Sequence, residues 1–554
     1  MTTAATTATG RPPQSGTTRA TVVSGTGTLL RFMLRRDRIR FPAWVLGLTL
    51  MMMYYIAALE GVSEGPEDLA GMTAFSESPA GALFGGPGFG YDELTIERFL
   101  TGQYGLYMYI GAALMGLLTV TRHTRAEERS GRAELVRANV VGRHAQVTAA
   151  LLLTALMGIL VALLVTSVMA GNGYDLAGSL LFGAAIGTSA LTFAGIATVT
   201  AQLSEYPRAA AGLAGTALGA AFLLRGLGDM ATVQGSGPGW LSWLSPIGWS
   251  QQTAPYVHNR WWPLAISLAF VAGTAAAGYA LSARRDFGAG LIPPRPGAPR
   301  AAGWLAGPLS LAFRLQRASL LGWSAALLVS GLAYGSFTQP ILDGFADAPE
   351  DLVAVMGGTE DLLAGFLGLM GLTMALTVAI FAVLAVHALR GEETDGRAEP
   401  VLATAVSRRA WIGSHLAVTA VGVPWLLFVA GLGMGVGAAT STGDASLLGD
   451  LLLGHLAHTP AVWLVLAVAA ALYALVPRAM PAVWVVVGYA LIVGFFAPIL
   501  DIPAAAVRLS PFEHIGEYPL DEIDIGAVLL LTVGAAAVAQ VATLAFRRRD
   551  LSTA

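Results

Sequence analysis

Twelve stretches of this sequence are long and apolar enough to cross a lipid bilayer: 42–59, 104–121, 146–169, 177–200, 208–225, 262–282, 319–337, 367–388, 411–436, 448–475, 481–500 and 525–546. A helix needs roughly 20 apolar residues to do so. Lipid offers no partner to a backbone amide, so a spanning segment is a helix or a strand of a closed barrel. These runs are too long for barrel strands and lack their alternation. The sequence therefore predicts an all-α polytopic membrane protein. Composition agrees, with 55% hydrophobic residues and a mean hydropathy of +0.64.

Charge supplies the orientation. All 32 basic residues are arginine. With the N-terminus cytoplasmic, only Arg98, Arg225, Arg260 and Arg508 fall on the outer side, as the positive-inside rule demands. Most of the acids fall there instead. The expectation is a multi-pass protein of the cell membrane with both termini cytoplasmic. Residues 1–28, rich in Thr, Ala, Gly and Ser, read as a disordered cytoplasmic tail rather than a signal peptide. Cysteine is absent, which excludes disulfides, thiolate catalysis and cysteine-held metals. No catalytic residue, resident cofactor, metal or nucleic-acid partner is expected.

One charged sentence is written twice. Residues 125–143 read RAEERSGRAELVRANVVGR, and 390–408 read RGEETDGRAEPVLATAVSR. Leu244-Ser245-Pro246 recurs as Leu509-Ser510-Pro511, and Arg284-Arg285-Asp286 as Arg548-Arg549-Asp550. Such periodicity marks a duplicated chain. The predicted organisation is a tail (1–28), a first six-helix half (29–286), a Pro-rich cytoplasmic linker (287–306) and a second six-helix half (307–554). An even number of spans per half makes the two halves parallel, with a pseudo-two-fold axis along the membrane normal. Segments 29–41 and 309–319 mix apolar residues with arginine ahead of the first and seventh spans, the composition of interfacial amphipathic helices.

Within each sentence the acids match as well as the bases, which loop filler would not require. Glu128 and Arg132, and again Glu393 and Arg397, are spaced i, i+4 with the acid first, the favourable order for a helical ion pair. Gly131 and Gly396 permit a sharp turn. Leu135, Val136, Val140 and Val141, and Val401, Leu402 and Val406, give each segment an apolar stripe. The reading is a short surface helix in each half, and two such helices suit a partner that is itself a two-fold dimer.

Glu127-Glu128-x-x-Gly131-x-x-Glu134, placed just after the second span, resembles the coupling-helix motif of type-2 ABC exporter permeases, as does Glu392-Glu393-x-x-Gly396-x-x-Glu399. With 244–264, 284–291 and 546–551, the whole chain after residue 28 resembles the fused twelve-span subgroup of polyketide-antibiotic (tetronasin-like) exporters. Gly-Arg-Ala-Glu stands where that family commonly has Gly-Thr-Leu-Glu. The resemblance implies a permease exporting a small hydrophobic or amphipathic substrate. It assigns ATPase coupling to Glu127, Glu128, Gly131, Arg132, Glu134, Glu392, Glu393, Gly396, Arg397 and Glu399. A phosphate-binding P-loop requires lysine, and this chain has none. ATP and Mg would therefore be bound by a partner, a dimer of separately encoded ABC ATP-binding subunits.

An alternative is a proton-coupled efflux transporter of the major facilitator type, whose motif after the second span Glu128–Arg132 echoes. It lacks a convincing mid-membrane carboxylate, which proton coupling would need. A further alternative is a membrane enzyme with a metal at His455 and His458. The plainer reading has these histidines capping the outer end of the tenth span at the headgroups. Arg225 is expected to snorkel to the outer interface, with an outer-gate role paired to Asp229 as the sharper reading. Trp240, Trp243, Trp249, Trp261 and Trp262 read as an interfacial belt. Re-entrant outer helices broken by Pro246 and Pro511 would use the same segment, making Pro246, Trp249, Pro511 and Arg225 the gate candidates. Gly183/Gly187, Gly215/Gly219 and Gly431/Gly435 have a spacing that permits close helix contact.

Overall fold

The computed structural model describes residues 22–62, 79–132, 134, 141–235, 237–293, 297–339, 342, 359–497, 502–516, 518–520 and 522–551. Among the described residues every regular element is helical. Of these elements, among the described residues, twelve helices are long and apolar enough to span a membrane: Arg40–Glu60, Ile96–Arg129, Ala145–Gly171, Leu176–Leu203, Pro207–Val233, Trp262–Ser282, Pro308–Ser336, Leu363–Thr394, Arg408–Thr442, Ser446–Leu475, Pro477–Phe495 and Ile525–Arg548. The protein is thus an all-α polytopic membrane protein. The second and eighth spans overrun their expected limits, and each carries the start of a charged sentence in its last turns.

Tertiary contacts divide the chain into two compact units, Met1–Pro296 and Gly297–Ala554. In the first, the fourth span is the hub and packs against the second, third, fifth and sixth, while the first lies on the third. In the second, the tenth span packs against the eighth, ninth, eleventh and twelfth, while the seventh lies on the ninth. The same order of pairing recurs in each.

Lipid is as apolar as leucine, so helices in a membrane associate by close van der Waals fit rather than by hydrophobic burial. The seventh and ninth spans illustrate this. Gly331, Gly335, Gly433 and Gly437 bring the two backbones together, and a methyl group on Gly331 would lie 2.5 Å from the Ala430 carbonyl oxygen. Of the three glycine pairs singled out by spacing, Gly183/Gly187 and Gly431/Gly435 pack against neighbouring helices, but Gly215/Gly219 face open space.

In the ninth and tenth spans a proline removes a backbone donor, and each freed carbonyl finds another. Pro424 in the ninth span has no N–H for Ala420, so the Trp463 indole of the tenth span donates to the Ala420 oxygen at 2.8 Å. The tenth span breaks at His458 into Ser446–Ala457 and Thr459–Leu475. Pro460 leaves the Leu456 carbonyl free, and the Thr459 hydroxyl donates to it at 2.6 Å. The histidine expectation fails here. The helix starts at Ser446, so His455 and His458 do not cap its end, and both are buried at the break. Among the described residues no group of three ligands could hold a metal.

Ahead of the first span lies the separate helix α1, Thr26–Arg36. Residues 22–28, placed in the tail by composition, are ordered: the amides of Gly142 and His144 donate to the carbonyls of Ser24 and Val22. The segment before the seventh span is not a separate helix but the start of Pro308–Ser336. The two segments also differ in what they touch. Asp37 stands at the end of α1, paired with Arg122 and hydrogen-bonded by His123. Gln316, inside the helix Pro308–Ser336, donates to the His415 carbonyl and accepts from Thr419.

Candidate functional site

The charged sentences lie where the second and eighth spans end. In the first unit the last turns of the second span widen to π geometry over Arg122–Ala126, and the chain then reverses at Gly131, whose φ is +72°. Gly396 has the same φ, +72°. An L-residue pays for that left-handed conformation and glycine does not.

This reversal overturns the expected i, i+4 pairing. Because the helix ends at the glycine, Arg132 swings back to Glu127 at 3.2 Å rather than to Glu128. Arg397 likewise pairs with Glu392 at 2.8 Å, and with Asp395 at 2.7 Å. Hydrogen bonds to Glu392 lift the Arg397 pKa above the ordinary arginine value, so that cation is permanent.

The second glutamate of each motif does something different. Glu128 is buried and pairs with Arg125 at 2.8 Å and with Arg285, just past the sixth span, at 2.6 Å. Arg285 also donates to Gln202 of the fourth span at 2.7 Å. Glu393 is buried and pairs with Arg549, just past the twelfth span, while Tyr473 of the tenth span donates to it. A third element repeats: Arg143 donates to the Ala283 carbonyl at 2.7 Å, and Arg408 to the Arg549 carbonyl. In each unit, then, one glutamate and one arginine of the sentence tie it to the end of the last span. Burying a charge is costly unless it is paired, and these acids are paired. The recurrence of Arg284-Arg285-Asp286 as Arg548-Arg549-Asp550 was the only sequence signal for the partners. It marked a repeat without revealing that it closes onto the sentence.

The first unit adds a brace from α1. Arg36 pairs with Glu127, and Asp37 accepts from Arg122 at 3.0 Å and from His123 at 2.6 Å. Between α1, the sentence and the chain after the sixth span lies a groove of about 520 Å³. Leu29, Phe32 and Met33 line one side, and Arg132, Arg143 and Arg285 the other. Leu135, Val136 and Val140 lie outside the described residues, and Val141 packs on the core. In the second unit a short helix α2, Ala398–Leu402, places Val401 and Leu402 on the core beside Val406. Glu134, Arg132, Asp395, Arg397 and Glu399 remain exposed.

At the opposite end of the first unit Arg225 does not snorkel. It is fully buried, pairs with Asp229 at 3.2 Å, and donates to the carbonyls of Ala82 and Leu83 at the end of helix Pro79–Phe84. Ser242 donates to Asp229. Pro246 starts a helix rather than breaking one: it holds the first turn of Pro246–Gln251, capped by Ser245. Trp249 on that helix is buried, with its indole donating to Trp243 at 2.7 Å, whereas Trp240, Trp261 and Trp262 are exposed. Pro511 follows the short helix Ala504–Val507 within turns, so the second unit has no counterpart of Pro246–Gln251 among the described residues.

Twelve spans, and charged loops locked into them at one end, define a polytopic membrane protein built to tie surface segments to its helices. The chain matches the family described as "Multidrug efflux system permease Rv1217c, C-terminal domain" over residues 27–281 and 305–547. It is also 39% identical over 543 residues, 96% of both chains, to the "Multidrug efflux system permease protein Rv1217c" of Mycobacterium tuberculosis (strain ATCC 25618 / H37Rv). The protein therefore belongs to this family of efflux-system permeases.

Proposed function

We propose that this chain is the membrane-spanning subunit of an ATP-driven exporter, worked by a pair of separately encoded ABC ATP-binding subunits that dock on the two charged sentences. The observation that carries the reading is the repeated lock: Glu128 to Arg285, and Glu393 to Arg549. A loop fixed to the helix ends moves them when it is pushed. ATP and Mg would be bound by the partner. Closure of the partner dimer would drive the sentences together and switch the access of a cavity lined by apolar, Gly- and Ala-rich spans. Both termini would be cytoplasmic, on the ATPase side.

The cargo class is a hydrophobic or amphipathic compound, since few fixed charges line the spans. A polyketide antibiotic is the finer assignment, supported by resemblance in sequence. The relative's name, a multidrug efflux permease, supports export of drug-like compounds. The buried glutamates would transmit force, and the exposed Glu134 and Glu399 would meet the partner.

The test is co-purification of the tagged chain with an ATP-binding subunit co-expressed from the neighbouring reading frame, alongside dye efflux from cells. Reversing both exposed acids, E134R with E399R, should cut recovered ATPase and efflux at least tenfold, about 1.4 kcal/mol, with melting unchanged. Undiminished coupling in that variant, or efflux by the lone chain driven by a proton gradient, would refute the proposal.

A further inference from the structure

A second cleft in the first unit has a different character from the groove at the sentence. It holds about 650 Å³ and opens between the first, second and fifth spans. Its lining comes from the first turn of the first span (Arg40, Phe41, Trp44), the end of the second (Leu118, Thr119, Arg122) and the start of the fifth (Pro207, Arg208, Ala211). Met157 of the third span closes its floor. The hydroxyl of Thr119 is spent on the Met115 carbonyl at 2.7 Å, so it offers little to a ligand. The walls are apolar.

The charges in the lining do not balance. Its one carboxylate, Asp37, is already held by Arg122 and His123. Arg40 and Arg208 are exposed, and among the described residues neither has an ion-pair partner. Two free guanidiniums therefore flank an apolar slot. They are complementary to a molecule with an anionic head and a hydrocarbon body. Both arginines lie in the first turns of their spans, the level at which a headgroup sits. Leu118 and Ala43 are exposed at the slot's side, open to neighbouring acyl chains.

We propose that this cleft binds one anionic phospholipid of the adjoining leaflet, with its phosphate between Arg40 and Arg208 and an acyl chain against Trp44, Leu118 and Met157. The site is independent of the exporter reading, since it stands on the cleft and its charges alone. It would be a resident lipid, retained where annular lipids exchange.

The full chain, purified in mild detergent, is delipidated and titrated with phosphatidylglycerol or with phosphatidylcholine of the same acyl chains, and bound lipid is counted by native mass spectrometry. Two arginines at an anionic surface favour the anionic lipid by roughly 30-fold. One phosphatidylglycerol should be retained at that preference. R40A with R208A should reduce the preference to near unity, and R40K with R208K should restore most of it. A211W, which fills the slot without touching either arginine, should lower retention as well, whereas R547A with R548A should change nothing. Equal binding of the two lipids by the native chain would overturn the proposal. So would a preference that survives both R40A/R208A and A211W.

Discussion

Replacing Arg549 by methionine tests whether the sentence is locked to the last span. Glu393 is 3% exposed, and Arg549 is its ion-pair partner, with Tyr473 donating beside it. R549M takes the guanidinium away from that buried carboxylate, and removing one member of a buried pair costs about 3–5 kcal/mol. The matching variant in the first unit, R285M, should be destabilising as well. Glu128 would keep Arg125 at 2.8 Å, so the loss is nearer that of one charge-assisted hydrogen bond, about 1.5–3 kcal/mol. For units of this size each kcal/mol moves the melting temperature by about 2–4 °C. R549M should then melt at least about 6 °C lower in detergent, and R285M at least about 3 °C lower. The chain has 12 tryptophans and no cysteine, so intrinsic fluorescence is the assay and thiol dyes are not. Adding E393Q to R549M removes the buried charge that has lost its guanidinium and should recover much of the loss. The reasoning is refuted if R549M melts with the native chain, or if E393Q with R549M melts no higher than R549M alone.

Other interactions yield comparable tests by the same melting assay. W463F should cost about 1–2 kcal/mol by orphaning the Ala420 carbonyl; in a P424A background, where residue 424 supplies its own N–H, the same change should cost clearly less. G335A forces a methyl into the backbone of Met434 and should cost about 1–3 kcal/mol, while G215A, which faces open space, should be neutral. R225M leaves Asp229 buried beside Ser242 without its cation and should cost about 3–5 kcal/mol. Adding D229N should return part of that, and amide exchange at 81–85 should quicken in R225M as its two carbonyl contacts are lost.

The spans were legible because lipid imposes one rule on every one of them, a long apolar run with its backbone bonds satisfied internally. Arg132 and Glu128 were not, because the i, i+4 rule holds only where the helix continues, and at Gly131 it stops. Glu393 and Arg549 stand 156 residues apart, and no local pattern states that two such groups meet. Arg225 read as an interfacial cation because its sequence neighbours are mostly apolar; beside Asp229, which the sequence could offer, its other partners come from 82, 83 and 242, on other segments. The crossing at Gly331, Gly335, Gly433 and Gly437 was lost among 67 glycines, for spacing does not say which faces meet. Gly215 and Gly219 share that spacing and touch nothing.

The clamp at Arg225 has a consequence for how such a chain can evolve. Counting from the shared Pro-Arg-Ala that opens the fifth span and recurs at 477–479, the second half carries Phe495 and Ile499 where the first carries Arg225 and Asp229. A transporter assembled from two identical subunits must bear such a clamp twice or not at all. Writing both copies into one reading frame releases that constraint. Selection can then keep the charged sentence of each copy spelled alike while the far ends drift into different sequences.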